Sequence, residues 1–451
     1  MKNCTNRLIF FILLIGLLAG CKKFLEEKPD KKLAVPVNAE HFQALLNESS
    51  QIDISPSEGE IASADFYLSD DDYESLGCET EWDLYRWRDG PFTELCYIED
   101  GWRKCYKSIY HCNVVLEGVA EQALNEELKN VKGQAHFHRA VNLLEMAGIW
   151  ASIYDENTAD EKLGLPLRLS SDFNVKSERA NLKETYRQIL EDLKEAEVNL
   201  PVRQPNRRWP GRSAALGLLA RTYLFMGDFE NALVYADKAL QGVSLLDFNE
   251  IDVQADYPFN SEDNEEVLLY KFLFTYYSLN EAVAKVDSNL IKLYDNRDLR
   301  KPAFFRVNED GSYRFKGSYG GGRGAYFSGI AVDEVMLIKA EALVRLGEVG
   351  EALSVLNQLL EKRWQRGFFK PYQTVDAQET LDLILKERRK ELLFRGLRWF
   401  DVKRINHLGG KITLEREVNG QRYTLPVGDP RFTILIPEDV IRLGGIPQNE
   451  R

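Results

Sequence analysis

Two stretches of this chain repeat one another, and the repeat limits the possible folds more than any other feature. Residues 217–233 align with residues 337–353. In each, an alanine (Ala220, Ala340) is followed seven residues later by a glycine (Gly227, Gly347) and five further on by a second alanine (Ala232, Ala352). Small residues let two antiparallel helices approach closely. A glycine between them ends the first helix in a left-handed turn. Ala239 and Leu359 continue the second helix of each pair.

This is the logic of tetratricopeptide repeats. Two copies 120 residues apart do not make a regular solenoid. They predict helix pairs in one bundle, separated by long insertions. A divergent pair is expected near 102–150, where Trp102, Tyr106, Ile109, Tyr110, Val114, Leu116 and Val119 share one face and a second helix runs from about Leu124 to Trp150. The other pairs fall near 212–240 and 331–362, with a further helix near 181–198 and a short one around Phe42, Leu45 and Leu46. The expected fold is mainly α: tetratricopeptide-like pairs as scaffold, a large loop-rich region, and a few short strands such as Val267–Phe272. Loop-rich insertions are placed near 50–100, 241–330 and 405–451.

The N-terminus gives an address. A short basic start is followed by the apolar run Leu8–Leu18, then Leu18-Ala19-Gly20-Cys21 and the polar Lys22-Lys23. The run is too short for a relaxed bilayer span and has the charge order of a secretory signal. A cysteine directly behind Leu-Ala-Gly resembles the bacterial lipobox, so residues 1–20 read as a lipoprotein signal peptide and Cys21 as the lipidation site. Two or more acyl chains give stable anchoring, which one does not. Residues 21–36, with Pro29 and Pro36, read as a lipidated tether, and residues 37–451 as a single folded domain.

The formal charge is −13, and the leader carries off Lys2 and Arg7. So acidic a surface argues against nucleic acid as a partner. Past the leader, no apolar run approaches the ~20 residues of a transmembrane helix. Cys78 and Cys96 are a possible disulfide pair. Cys105 and Cys112 stand seven apart on one expected helix, beyond disulfide reach.

Catalytic and metal-binding patterns are sparse. The five histidines show no H-E-x-x-H, and neither a nucleophile elbow nor a phosphate-binding loop occurs. Gly320–Ala325 matches G-x-G-x-x-A but precedes a repeat helix, so it reads as a glycine-rich turn. Asp70-Asp71-Asp72 lacks the spacing of a calcium loop and reads as a solvated acidic turn. No metal or cofactor is expected. The region 50–100 is dense in aromatic residues without a helical period, and such a stretch in a compact protein is usually functional. Trp82, Tyr85 and Trp87 are its candidates for stacking on a sugar ring or a peptide side chain.

Several segments together resemble the SusD/RagB-like nutrient-binding lipoproteins of the Bacteroidota outer membrane. Cys21-Lys22-Lys23-Phe24-Leu25-Glu26-Glu27-Lys28-Pro29 is similar to the family's pattern behind its lipobox. Trp102 to Leu116, Gly133 to Ala140, Leu163 to Leu167 and Leu293 to Arg300 resemble family core segments. The stretch Ile384 to Arg404 and the ending Gly428-Asp429-Pro430-Arg431-Phe432, with Pro447-Gln448-Asn449, resemble its C-terminal signature. Arg395 departs from it, standing where the resemblance predicts glutamate.

The resemblance implies a non-enzymatic protein, lipid-anchored in the outer membrane and facing outward. Such a protein captures a glycan or peptide and passes it to a SusC-like TonB-dependent transporter. It also implies ligand contacts from an aspartate and aromatics of the early loops and from the middle insertion. On this chain those are Asp65 and Trp87, with Tyr276, Tyr277, Tyr319 and Arg323. Two other readings rest on less: a tetratricopeptide-type scaffold lipoprotein for envelope assembly, and a lipid-anchored glycosidase with a hidden carboxylate pair.

Overall fold

The computed structural model describes residues 36–90, 100–259, 264–324 and 326–451. Ten helices form the scaffold described below: α1 Ala39–Leu46, α2 Gly101–Ala120, α3 Glu126–Trp150, α4 Leu182–Asn199, α5 Arg212–Met226, α6 Phe229–Ala239, α7 Val332–Arg345, α8 Val349–Glu361, α9 Ala377–Glu391 and α10 Arg398–His407. Their starts are written in the sequence. Asp100, Asn125, Asp228 and Asp376 each accept a backbone N–H of the first turn, and Asn181 with Glu184 forms a full capping box on α4. Each such cap contributes about 1 kcal/mol. The repeat glycines act as expected: Gly227 and Gly347 take φ of 76° and 92°, the left-handed turn that closes α5 and α7.

Successive helices pack on one another from α2 through α9. The three expected pairs, α2 with α3, α5 with α6 and α7 with α8, are all in contact. The long insertion between α6 and α7 does not break the stack, because α6 packs directly on α7. Near the centre, Ala214 to Phe225 of α5 is buried without a break. Gly148 of α3 lets α10 approach: a Cβ there would lie 1.8 Å from Phe400 Cε2. The Phe400 ring stacks on Phe225, with centroids 3.8 Å apart.

The charged C-terminal signature is mostly buried, and its arginines reach across elements. Arg388 pairs with Asp401 at 2.8 Å, Arg404 with Glu341 of α7 at 2.6 Å, and Arg300 with Glu387 and Glu391 at 2.6 and 2.9 Å. These pairs fix α9 and α10 against the scaffold. Arg395, standing where the resemblance predicts glutamate, meets Asp333 at 2.6 Å.

The region 50–100 differs from its reading as a purely irregular stretch. It carries short helices at Ser49–Ile52, Glu58–Ala62, Asp70–Glu74 and Glu79–Arg86. None exceeds eight residues, too few turns for a 3.6-residue period to show. Two-residue strands zip this region to the middle insertion: Ile54–Ser55 runs parallel to Phe272–Leu273, and Phe66–Tyr67 antiparallel to Lys285–Val286. Val267–Leu269 pairs with Ile330–Ala331, and residues 414–425 form a hairpin.

The signal peptide, Cys21 and the tether to residue 35 lie outside the described residues. Cys78 is disulfide-bonded, while Cys96 of the expected pair also lies outside them. Cys105 and Cys112 share α2 and are free. Among the described residues, no helix is long and apolar enough to cross a membrane.

Candidate functional site

The eight residues expected to touch ligand fall into two groups. Five face inward, which corrects the reading of them as a ligand-facing surface. Asp65 is buried, and its Oδ1 lies 2.7 Å from Arg389 Nη2 and 3.5 Å from Arg398 Nε. Arg389 also reaches Asp287 at 3.0 Å, so it ties the signature helix both to Asp65 of the early loops and to the middle insertion. Tyr85 and Trp87 are buried, the Tyr85 hydroxyl accepting from Leu68 N at 2.8 Å and Trp87 Nε1 donating to Ala62 O at 2.8 Å.

What these rings hold is a cation of the chain itself. Arg416, on the C-terminal hairpin, puts its Cζ 3.7 Å from the Tyr85 ring centroid, 5.1 Å from Trp87 and 5.2 Å from Phe66. Its N–H groups donate to the carbonyls of Ile61, Ser63 and Tyr85. Burial pushes the guanidinium down to about 10, still charged at neutral pH. Trp87 sits at a φ of 54°, left-handed for a bulky residue, at a cost of roughly 1–2 kcal/mol. Cation–π attraction in a dry site, about 2 kcal/mol, offsets it.

Tyr276 and Tyr319 are buried too. The Tyr276 hydroxyl donates to Glu58 Oε1 at 3.1 Å. The Tyr319 hydroxyl lies 3.0 Å from Glu266 and 3.2 Å from Asp333. Carboxylate oxygens of Glu266, Asp333 and Glu391 come within 4.8 Å of one another, a grouping able to hold a metal ion. The positive charge there comes instead from Arg363, on Glu266 and Glu391, and from Arg395, on Asp333.

The other three, Trp82, Tyr277 and Arg323, lie at the surface and come from three segments joined by direct contacts. Trp82 is half-buried, its Nε1 donating to Tyr73 O at 2.9 Å. Beside it, Glu81 accepts from Ser278 N at 2.7 Å, which ties the helix Glu79–Arg86 to the turn carrying Tyr277. Tyr277 is 43% exposed. Three residues past Ser278, Glu281 meets Arg323 Nε at 3.2 Å, and the Arg323 side chain is 66% exposed. Glu281 also accepts from the Tyr257 hydroxyl at 3.2 Å. Sequence reading missed Tyr257, Glu281 and Glu81. They follow no helical or strand period, and their only signal is nearness to Tyr276-Tyr277 and Trp82. These contacts link the segments that carry Trp82, Tyr277 and Tyr257, with a guanidinium and a carboxylate held in place by each other. Aromatic surface with fixed polar groups suits recognition of a hydroxyl-rich or amide-rich ligand.

Comparison with known proteins places the scaffold. A family model described as "Starch-binding associating with outer membrane" matches residues 23–224, and a second, described as "SusD family", matches residues 305–429. Together they span more than half of the chain. The chain belongs to the SusD/RagB-like family. SusD-like protein P38 of Formosa agariphila is 23% identical, over 90% of this chain and 92% of its own. SusD-like protein P2 of the same organism is 24% identical over 73% and 77%. Among solved structures, a SusD superfamily protein of Bacteroides thetaiotaomicron superposes with a TM-score of 0.75 at 21% identity, covering 92% of this chain and all of its own. A SusD-like carbohydrate binding protein of Bacteroides vulgatus gives 0.65 at 20% identity, over 86% and 89%. The two matched segments hold Trp82 and Arg323. Tyr257, Tyr277 and Glu281 fall in the insertion between them, so this SusD-like chain completes its exposed face with residues outside both matches.

Proposed function

We propose that this SusD-like chain is a non-enzymatic surface protein that captures a glycan, or a peptide, and passes it to a SusC-like TonB-dependent outer-membrane transporter. In this reading Cys21 carries the lipid, residues 21–36 are the tether, and residues 37–451 are one ligand-binding domain facing outward. The observation that carries it is the joined surface of Trp82, Tyr277 and Arg323, standing on a scaffold of the family described as starch-binding and associated with the outer membrane. Carbohydrate binding by a relative of the same fold supports a sugar as the first class to try.

The test is the full-length chain in detergent micelles, probed against an array of glycans and peptides, with the captured ligand recovered and its mass measured. The expected result is one class bound, recovered intact, and weakened about tenfold or more by Trp82→Ala and by Tyr277→Ala. Ligand cleaved by the wild-type chain would refute the non-enzymatic reading. Binding indifferent to both substitutions would remove this surface. Affinity purification from outer membrane should bring down a large β-barrel transporter, and its absence under mild detergent would count against the handover.

A further inference from the structure

A second cleft lies on elements that share no residue with the surface above. It has a volume of about 920 Å³ and opens between the α4–α5 loop, the turn after α6, and the strand region 265–272. That is the size of an oligosaccharide site. Its walls carry Arg203, Arg207 and Arg208, with Trp209 and Phe272 beside them. Three arginines on one cleft stand out on a chain whose net charge is −13.

The loop that carries them is held in place. Gln204 Nε2 donates to Asn130 Oδ1 at 2.7 Å and to Pro210 O at 2.9 Å. Asn206 Oδ1 accepts from Arg208 N and Trp209 N at 2.9 and 3.2 Å. Trp209 Nε1 donates to Asn47 Oδ1 at 2.8 Å, and Tyr270 N to Arg207 O at 2.8 Å. A loop fixed at both flanks presents its side chains without first being ordered, which lowers the cost of binding.

The cations are only partly neutralised. Arg208 shares Asp53 at 2.7 Å, leaves its side chain 54% exposed, and lies over the Phe272 ring with Cζ 5.5 Å from the centroid. Arg207 is fixed by the backbone carbonyls of Val267 and Glu265 and has no carboxylate partner among the described residues. Arg203 is exposed and makes no ion pair among them. Among the described residues, Glu265 is the one carboxylate in the lining, so the described walls keep a net positive charge even with Asp53 counted.

We infer that this cleft binds an anionic saccharide, with the guanidinium groups on carboxylate or sulfate oxygens and the rings against the sugar. Arginine forks match planar oxyanions with two parallel hydrogen bonds, and aromatic faces pack on C–H surfaces. The site is independent of the Tyr277 surface, and either can fail without the other.

The experiment is calorimetric titration of the full-length chain in detergent micelles. The probes are a galacturonate oligosaccharide, a sulfated oligosaccharide of the same length, and a neutral malto-oligosaccharide. At least one charged probe should bind about tenfold or more tighter than the neutral one and weaken as salt is raised. The charged probe that binds separates carboxylate from sulfate recognition. Arg203→Ala should cut that affinity about tenfold with the melting temperature unchanged, since Arg203 makes no ion pair among the described residues. Arg208→Gln should weaken it too. Charged probes bound no better than the neutral one would overturn the inference. So would affinity untouched by Arg203→Ala, or affinity abolished by Tyr277→Ala with both arginines dispensable.

Discussion

Replacing Arg395 with methionine removes a buried guanidinium while keeping much of the side chain's length. In the native protein both Nη atoms donate to Asp333, at 2.9 and 2.6 Å, and Cζ lies 4.3 Å from the Tyr319 ring centroid. Burial alone pushes the Asp333 carboxyl up. The charge and hydrogen bonds of Arg395, helped by Arg363, outweigh that and hold it below the ordinary carboxylate range. Its contribution to stability is thus present above the unfolded carboxyl range and lost as pH falls through the lowered folded value. Without Arg395 the carboxylate is left in a dry site beside Glu266 and Glu391. Breaking a buried pair in this way costs about 3–5 kcal/mol. Unfolding entropy of about 2.1 cal/mol/K per residue, over a chain of this length, amounts to roughly 0.9 kcal/mol/K. The melting temperature at pH 7.5 should therefore fall by about 3–6 °C.

Two arms of the experiment separate charge from packing. With its partner gone and burial remaining, Asp333 takes up a proton at higher pH, so the deficit of Arg395→Met should shrink in melts run from pH 7.5 down to 4.5. The double variant Arg395→Met with Asp333→Asn should recover most of the loss, because the pair is then removed whole. Arg395→Glu, the residue the family pattern predicts, should be worse than methionine, since it adds a fourth carboxylate to the cluster. A deficit that is the same at both pH values, together with a double variant no better than the single, would refute the electrostatic reasoning. It would leave the packing of Arg395 on Tyr319 and Phe327 as the cause.

Gly148→Ala sets a Cβ 1.8 Å from Phe400 Cε2 and should destabilise by about 1–3 kcal/mol or more through overpacking; a melting temperature equal to wild type would show that α10 yields freely. Glu58, fully buried and near Asp100, is pushed up from 4.5 to about 7. The stability tied to its protonated form is complete below pH 4.5 and lost as pH rises through 7, by up to ~3 kcal/mol. Glu58→Gln should therefore match wild type at pH 5 and out-melt it at pH 8, and an equal shift at both would refute the assignment. Trp87→Ala should cost about 3–5 kcal/mol, whereas Tyr277→Ala should leave the melting temperature within about 1 °C and weaken ligand binding. The reverse pattern would exchange their roles.

The scaffold was legible because its determinants are local. Ala220, Gly227 and Ala232, with their counterparts Ala340, Gly347 and Ala352, specify a helix pair within a dozen residues, and the caps Asp100, Asn181 and Asp376 mark starts with single side chains. The site was legible only as a neighbourhood. Trp82, Tyr85 and Trp87 lie on one short helix and its end, and nothing local tells their faces apart. What separates them is Arg416, 331 residues after Tyr85. By entering the cage of Phe66, Tyr85 and Trp87 it occupies the aromatic faces that a ligand would need and leaves Trp82 at the surface. Asp65 is taken the same way by Arg389, 324 residues on. In both cases the competitor for the ligand-type residue is an arginine from the C-terminal third. An arginine-rich signature far along such a chain should therefore be counted against the aromatics and acids of its early loops before any of them is assigned to a ligand. The residues left over, Trp82, Tyr277 and Arg323, are those the fold leaves at least partly open to solvent.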